Sequence, residues 1–253
     1  MKKLRLGLGS YFMAHRFIIN HGLWKYIIVP ICINIILILA LIYFGSEVNE
    51  EFEFYIQQKI NPAEGSWWSF LHVFTGILVY MLLFISYIFV YKTLILIILS
   101  PFLALLSEKV DSLYTGRDFP FSFAQLLKDI WRGIKLSLRN TALELVLLAG
   151  LFFCSFIPVI GFAAPILMFL VSSYFFGFAM IDYSNERKKM SYQESKTYIN
   201  NNKMLAIGIG IVFYALFLIF GIGLIIAPLY GIVAGTLAVL VNDNTQAPYS
   251  KPD

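Results

Sequence analysis

Four cations, Lys128, Arg132, Lys135 and Arg139, recur every three or four residues in the most polar internal region of the chain. That spacing puts them on one face of a helix, opposite Phe123, Leu127, Ile130, Trp131, Ile134 and Leu138. Such a face does one of two things. It lies against lipid headgroups, or it lines an entrance that gathers anions. A second anion-directed feature is a near-repeated word, "FIPVIGFAAP" from Phe156 and "IFGIGLIIAP" from Ile219, each breaking a long apolar run. Gly161 and Gly223 permit a tight turn there, and Pro165 and Pro228 fit the first turn of the returning helix. The N–H groups that such a helix leaves free carry partial positive charge and attract anions. The other reading is a plain turn that holds no ligand.

Other chemistries lack their residues. His15, His21 and His72 are dispersed, and the one carboxylate inside an apolar run is Glu144 at the expected start of a helix. There is no nucleophile motif, and the glycines of "GLGSYF" and "GIGIVF" lack the strand context of a nucleotide fingerprint. No enzyme and no cofactor is expected. Cys32 and Cys154 sit far apart in apolar runs without ligand neighbours, which reads as two inert buried thiols with neither metal nor disulfide.

The elements that must position these groups are membrane elements. Of 253 residues 59% are hydrophobic and 13% charged, with a mean hydropathy of +0.77, whereas soluble domains carry about 25% charged residues. The net charge of +4 is scattered along the chain, so the lipid bilayer is the partner and nucleic acid is not. Residues 1–23 contain no signal-peptide pattern; Leu6, Tyr11, Phe12, Phe17 and Ile18 suit one side of an interfacial helix, with His15 and Arg16 towards headgroups, and the other reading is a frayed terminus. Residues 24–46 make a first transmembrane helix, anchored by Trp24, Tyr26, Tyr43 and Phe44. Residues 47–66 follow as an external loop, with Glu47, Glu50, Glu51, Glu53 and Glu64 against a single Lys59.

A second, long transmembrane helix with a cytoplasmic extension covers 67–106. Lys92 snorkels near its inner end, and Pro101 behind an N-capping Ser100 marks a bend. The amphipathic basic region is 107–141, opened by a Ser122/Gln125 capping box. Thr141/Glu144 is a second such box and Ser191/Glu194 a third. Two apolar hairpins, 142–181 and 204–241, flank a polar loop at 182–203, and 242–253 is a short tail. With five basic residues up to Lys25, six in 107–141, five in 182–203 and one in the acidic loop, both termini are cytoplasmic and each hairpin starts on the inner side. Arms of about sixteen and about thirteen to seventeen residues make about 24 and 20 to 25 Å, short of a hydrocarbon core of about 30 Å, so the hairpins are expected to be re-entrant; the other reading is ordinary spanning hairpins across a thinned bilayer.

Particular stretches carry a likeness. "HGLWKYIIVPICIN", "SPFLALLSEKVDSLYTG", "FIPVIGFAAP" with "IDY" at Ile181 to Tyr183, and "APL" in the last run resemble, in order and spacing, the CysZ family of bacterial sulfate permeases. The resemblance covers nearly the whole chain. It implies an all-α integral membrane protein with two long transmembrane helices and two hemi-penetrating helical hairpins. It also implies a homo-oligomer, a hexamer in the family, in the bacterial cytoplasmic membrane, passing sulfate or a related oxyanion. A glycine-leucine/isoleucine-arginine-arginine motif is implicated in sulfate binding there, and Gly22, Leu23, Trp24 and Lys25 match it. Trp24 stands where the first arginine is expected. Arginine presents a planar fork to an oxyanion and lysine only a point charge, so the match is incomplete. Trp24 and Lys25 also suit plain interface anchors, and Asn34 suits a hydrogen bond to a neighbouring helix.

Overall fold

Apolar runs of this length have one way to satisfy their backbone inside a bilayer, which is to coil into helices. The computed structural model describes residues 1–59, 66–117, 123–219 and 222–246, and among them there is no strand. The helices are α1 (Lys2–Asn20), α2 (Ile28–Lys59), α3 (Ser66–Thr115), α4 (Phe123–Cys154), α5 (Pro158–Arg187), α6 (Tyr192–Asn201), α7 (Lys203–Phe217) and α8 (Ile222–Gln246), with a 3-10 turn at Leu23–Ile27. Among the described residues, four segments are long and apolar enough to cross a membrane, or five if α6 and α7, which meet at 88°, count as one. The chain is an all-α, multi-pass membrane protein.

One compact unit comprises Cys32–Leu96. It holds the greater part of α2 and the first part of α3. Ile35, Ile36, Leu39 and Ile42 are exposed, as expected of a helix apolar all round whose solvent is lipid. Asn34 is buried. Gly45 lets the helices approach, since a Cβ there would meet the Tyr80 ring at 3.3 Å. The acidic segment from Glu47 to Lys59 does not form a loop but extends α2 by three turns; it contains no glycine or proline after Gly45 and Ser46 to end the helix before Lys59. Glu64 lies outside the described residues.

The second unit comprises Met1–Ile31 and Ile97–Asp253. Its centre is α5, α7 and α8, with α1 packed on α7 and α8 and with α4 on α5. Small residues set the crossings. A Cβ on Gly210 would lie 1.6 Å from the Ser173 carbonyl oxygen, and one on Gly7 2.7 Å from that of Leu205, so both helix pairs touch backbone to backbone. Tyr11, Ala14 and Ile18 fill the α1 interface while Phe12 is 79% exposed. The expected interfacial helix is thus a packed one, because its glycine-containing face fits α7 better than lipid.

Helix ends and bends differ from expectation at three places. Ser100 does not cap a new helix. Its Oγ donates to the Ile97 carbonyl at 2.8 Å, the very acceptor that Pro101 cannot serve, and α3 continues unbroken past Pro101. Thr141/Glu144 is not a capping box either, since α4 runs from Phe123 to Cys154 without a break. Ser191 does cap α6, accepting from the Glu194 amide at 3.3 Å while Glu194 accepts from the Ser191 amide at 2.7 Å. The Ser122 box, like Phe220, falls outside the described residues.

Candidate functional site

Gly22 adopts a left-handed conformation, φ 63°, and closes α1 as its amide donates to the Ile19 carbonyl at 3.2 Å. A residue with a side chain is disfavoured there, which explains the glycine of the four-residue motif. Leu23 is then buried and Lys25 exposed. The Lys25 ammonium sits 5.5 Å from the Tyr26 ring. Trp24 approaches Tyr230 edge-on, with ring centroids 5.8 Å apart, and the Tyr230 hydroxyl hydrogen-bonds His15 Nδ1 at 2.7 Å. Where the arginine of the motif is expected, an aromatic side chain therefore anchors the 3-10 turn to α8.

The basic stripe divides. Lys128, Lys135 and Arg139 are exposed, and the Arg139 guanidinium lies 4.6 Å from the Tyr192 ring. Arg132 turns inward. It pairs with Asp182 at 3.1 Å and Glu186 at 3.7 Å and donates to the Met190 carbonyl at 2.6 Å. Two of the expected apolar positions, Trp131 and Leu138, are 71% and 55% exposed, whereas Leu136, Asn140 and Glu144 are buried. The buried face of α4 is the mixed one, because lipid accepts the tryptophan and the leucine while polar groups must face protein.

Around Arg132 a dense polar end holds the helices together. Ser195 donates to Asp182 and accepts from the Asn185 amide. Arg187 pairs with Asp111 at 3.1 Å and donates to Ser107, whose hydroxyl also shares a 2.8 Å bond with Thr236. Lys188 and Tyr198 both reach Asp243. The acid of the "IDY" stretch is thus a structural tie between α4, α5 and α6. Its partners lie 50 and 13 residues away, so nothing local in the sequence announces them.

The hairpin tips are displaced from the expected turns. The first turn is Ser155–Ile157 and α5 begins at Pro158, so Pro158 takes the first-turn place and Pro165 lies inside the helix, as Pro228 does in α8. Gly161 and Gly223 have ordinary negative φ. Their use is close approach: a Cβ would lie 2.6 Å from the Ser155 oxygen and 1.9 Å from that of Leu216. The arms of the first hairpin are longer than sixteen residues. From Cys154 back to Arg132, or from Pro158 on to Asp182, helical rise gives about 33 to 36 Å, enough to cross. In the second, α7 has 15 residues, about 22 Å, and stays short. A cleft of about 530 Å³ opens at the first tip, lined by Phe152, Ser155, Gly161, Phe162, Pro165 and Met168 among others. None of the described residues that line it is charged. Cys154 at this tip and Cys32 are both exposed rather than buried, since their helices turn apolar side chains outward.

Between tip and polar end lies a site missed in the sequence. Glu144 is 4% exposed and so is Ser172, and the Ser172 hydroxyl donates to Glu144 Oε1 at 2.6 Å. Glu144 stands ten residues below Cys154, about 15 Å from the tip. The reading as a helix cap hid it. A carboxyl inside an apolar run, rather than the Thr–x–x–Glu pattern, was the available signal.

Comparison with known proteins gives a consistent result. A family model described as "Sulfate transporter CysZ/Etoposide-induced protein 2.4" matches residues 10–228. The chain is similar to a protein named sulfate transporter CysZ from Pseudomonas syringae pv. tomato, 29% identical over 224 residues that cover 88% of this chain and 87% of the relative. It is similar to one of the same name from Pseudomonas fluorescens, 27% identical with 84% of each chain covered. A third, from Vibrio parahaemolyticus, is 27% identical over 82% of this chain and 83% of its own.

Proposed function

The chain belongs to the Sulfate transporter CysZ/Etoposide-induced protein 2.4 family, a family of transporters rather than enzymes, and from that premise we propose that it passes sulfate or a related oxyanion across the cytoplasmic membrane, supplying sulfur assimilation. The observation that carries this is likeness over more than four fifths of both chains to proteins named for sulfate transport. In this reading both termini are cytoplasmic and the hairpins α4–α5 and α7–α8 enter from that side. The basic loops support it. The protein works as a homo-oligomer, a hexamer by resemblance, whose contacts cover the broad apolar surface of α2 and α3.

Each candidate residue then has a role. Lys128, Lys135 and Arg139 gather anions at the inner mouth by long-range attraction, while Arg132 holds the hairpin base. Gly22, Leu23 and Lys25 form the weak anion-binding turn, with Trp24 supplying rigidity instead of charge. Gly161 and Gly223 close the tips near Pro165 and Pro228.

Purified protein in liposomes should accumulate labelled sulfate above empty vesicles, and no uptake by correctly inserted protein would defeat the proposal. A second reading is a non-transporting membrane scaffold of the same fold. It is favoured by the contact of Trp24 with Tyr230 at the motif position where the arginine is expected. The two separate on whether Trp24→Arg changes sulfate affinity, which only a transporter would show.

A further inference from the structure

Two cations of α4 lie where cations are costly. The apolar crossing segment of this helix begins at Trp131, so Lys135 and Arg139 stand about 6 and 12 Å inside it along the axis. Both are exposed, on the side of α4 opposite the buried Leu136, Asn140 and Glu144. A charge at that depth is unfavourable and is kept where it meets an opposite one. Among the described residues, the cations paired with acids are Arg132, Arg187 and Lys188; Lys135 and Arg139 are not.

Their reach is set by the helix. Side chains tilt towards a helix N-terminus, which for α4 is the polar end, so both heads snorkel back to the headgroup level. The Arg139 guanidinium shows that direction, since it lies 4.6 Å from the ring of Tyr192, the first residue of α6. A ring contact steadies the guanidinium and uses no hydrogen-bond acceptor, which leaves its donors for a phosphate.

Beyond the cations the same face continues without charge. At about 100° per residue Lys135, Arg139, Ala142, Val146 and Ala149 fall within about 80° of one another. All five are exposed, Val146 by 70%. From Arg139 to Ala149 helical rise gives about 15 Å, the depth of one leaflet in a hydrocarbon core of about 30 Å. Trp131, 71% exposed, stands at the cationic end, where an amphipathic ring belongs.

We propose that this face of α4 binds an anionic phospholipid, its phosphate held by Lys135 and Arg139 and an acyl chain lying along Ala142, Val146 and Ala149. A free oxyanion matches the two cations alone; the apolar continuation selects a lipid. A second copy of the chain would have to bury two unpaired cations, which is strongly unfavourable. The inference goes beyond the transport reading. It shares two of that reading's cations and needs no transport.

The test uses the full-length protein in phosphatidylcholine nanodiscs, with Trp131 as reporter, its emission taken as wild type minus Trp131→Phe. Bromine-labelled phosphatidylglycerol should quench that emission at a mole fraction below that of bromine-labelled phosphatidylcholine, by about fivefold for each of the two cations. The double change Lys135→Ala with Arg139→Ala should erase the preference, and Lys135→Arg with Arg139→Lys should keep it. Equal quenching of the wild type by both lipids, a comparison that needs neither cation variant to fold, overturns the proposal. So does a preference that survives the double change. Quenching by neither lipid means that protein covers the face, and it overturns the lipid as occupant. Loss of the preference in sodium sulfate but not in sodium chloride of equal ionic strength assigns the face to a free oxyanion and overturns it as well. Sulfate uptake is not read, so failure of the transport reading leaves each of these outcomes unchanged.

Discussion

The Gly161 amide donates to the Ile157 carbonyl at 2.8 Å, and the Gly223 amide donates to the Ile219 carbonyl at the same 2.8 Å. The two similar words thus make the same first-turn hydrogen bond in two hairpins, with Gly161 against the backbone of the turn residue Ser155 and Gly223 against that of Leu216 in α7. Adding a methyl group should push those backbones apart. Gly223→Ala, with its Cβ at 1.9 Å from a main-chain oxygen, is expected to cost about 1 to 3 kcal/mol, as overpacking does. Gly161→Ala should cost less. Gly150→Ala is the control: a Cβ there meets nothing within 4 Å, and helix propensity favours alanine by about 1 kcal/mol. Thermal unfolding in detergent should show Tm lowered by the first two changes and raised by the third.

Arg132 and Lys135 look equivalent along the chain and differ in what they touch. Arg132→Ala leaves Asp182, 7% exposed, without its cation, a change that costs about 3 to 5 kcal/mol where a buried pair is broken. Lys135→Ala and Lys128→Ala remove exposed charges and should alter stability by less than about 0.5 kcal/mol. If these lysines gather anions, the latter pair should slow sulfate uptake at low salt and match wild type at high salt, where the attraction is screened. Uptake rates at two ionic strengths, read beside the unfolding curves, separate the two roles.

Replacing Trp24 restores the motif arginine at the cost of an aromatic contact. Trp24→Arg should tighten sulfate binding severalfold, because a fork of donors replaces a ring. The same change should loosen the turn, since the Tyr230 ring loses its 5.8 Å partner; an aromatic pair is worth about 0.5 to 1.5 kcal/mol. Tyr230→Ala should reproduce the loosening without the tighter binding. Equilibrium binding of labelled sulfate and Tm measure the two effects independently.

Helices and their order were readable because period and apolar length report them directly. The turns were not, and the reason is specific: Pro165 and Pro228 carry a first-turn pattern, yet membrane helices tolerate proline in their interiors, so the pattern does not locate the turn. Likewise Thr141 and Glu144 spell a capping box, but nothing between Asn140 and Leu143 breaks a helix. The protein-facing side of α4, with Leu136, Asn140 and Glu144, was not legible because the rule that apolar residues go inside inverts where lipid is the solvent. Arg132 and Asp182 are 50 residues apart and meet only because α4 and α5 fold back on each other at Ser155. The Ser191 box was legible since both of its bonds are made within four residues.

That box makes the remaining prediction one of pH. Glu194 has its carboxyl held below the ordinary glutamate value of 4.5, first by the backbone hydrogen bond from Ser191 and then by the Ser191 side chain. A depressed pKa in the folded state means that the unfolded chain binds the proton more tightly. The cap's contribution to stability is therefore complete above the unfolded value and fades as pH falls through the folded one. Site-resolved NMR titration in detergent should place Glu194 below 4.5, the ordinary value. Ser191→Ala keeps the backbone donor and removes the side-chain one, so it should recover only the smaller part of the shift. A wild-type Glu194 titrating at or above the ordinary value would mean that α6 is not capped this way in solution.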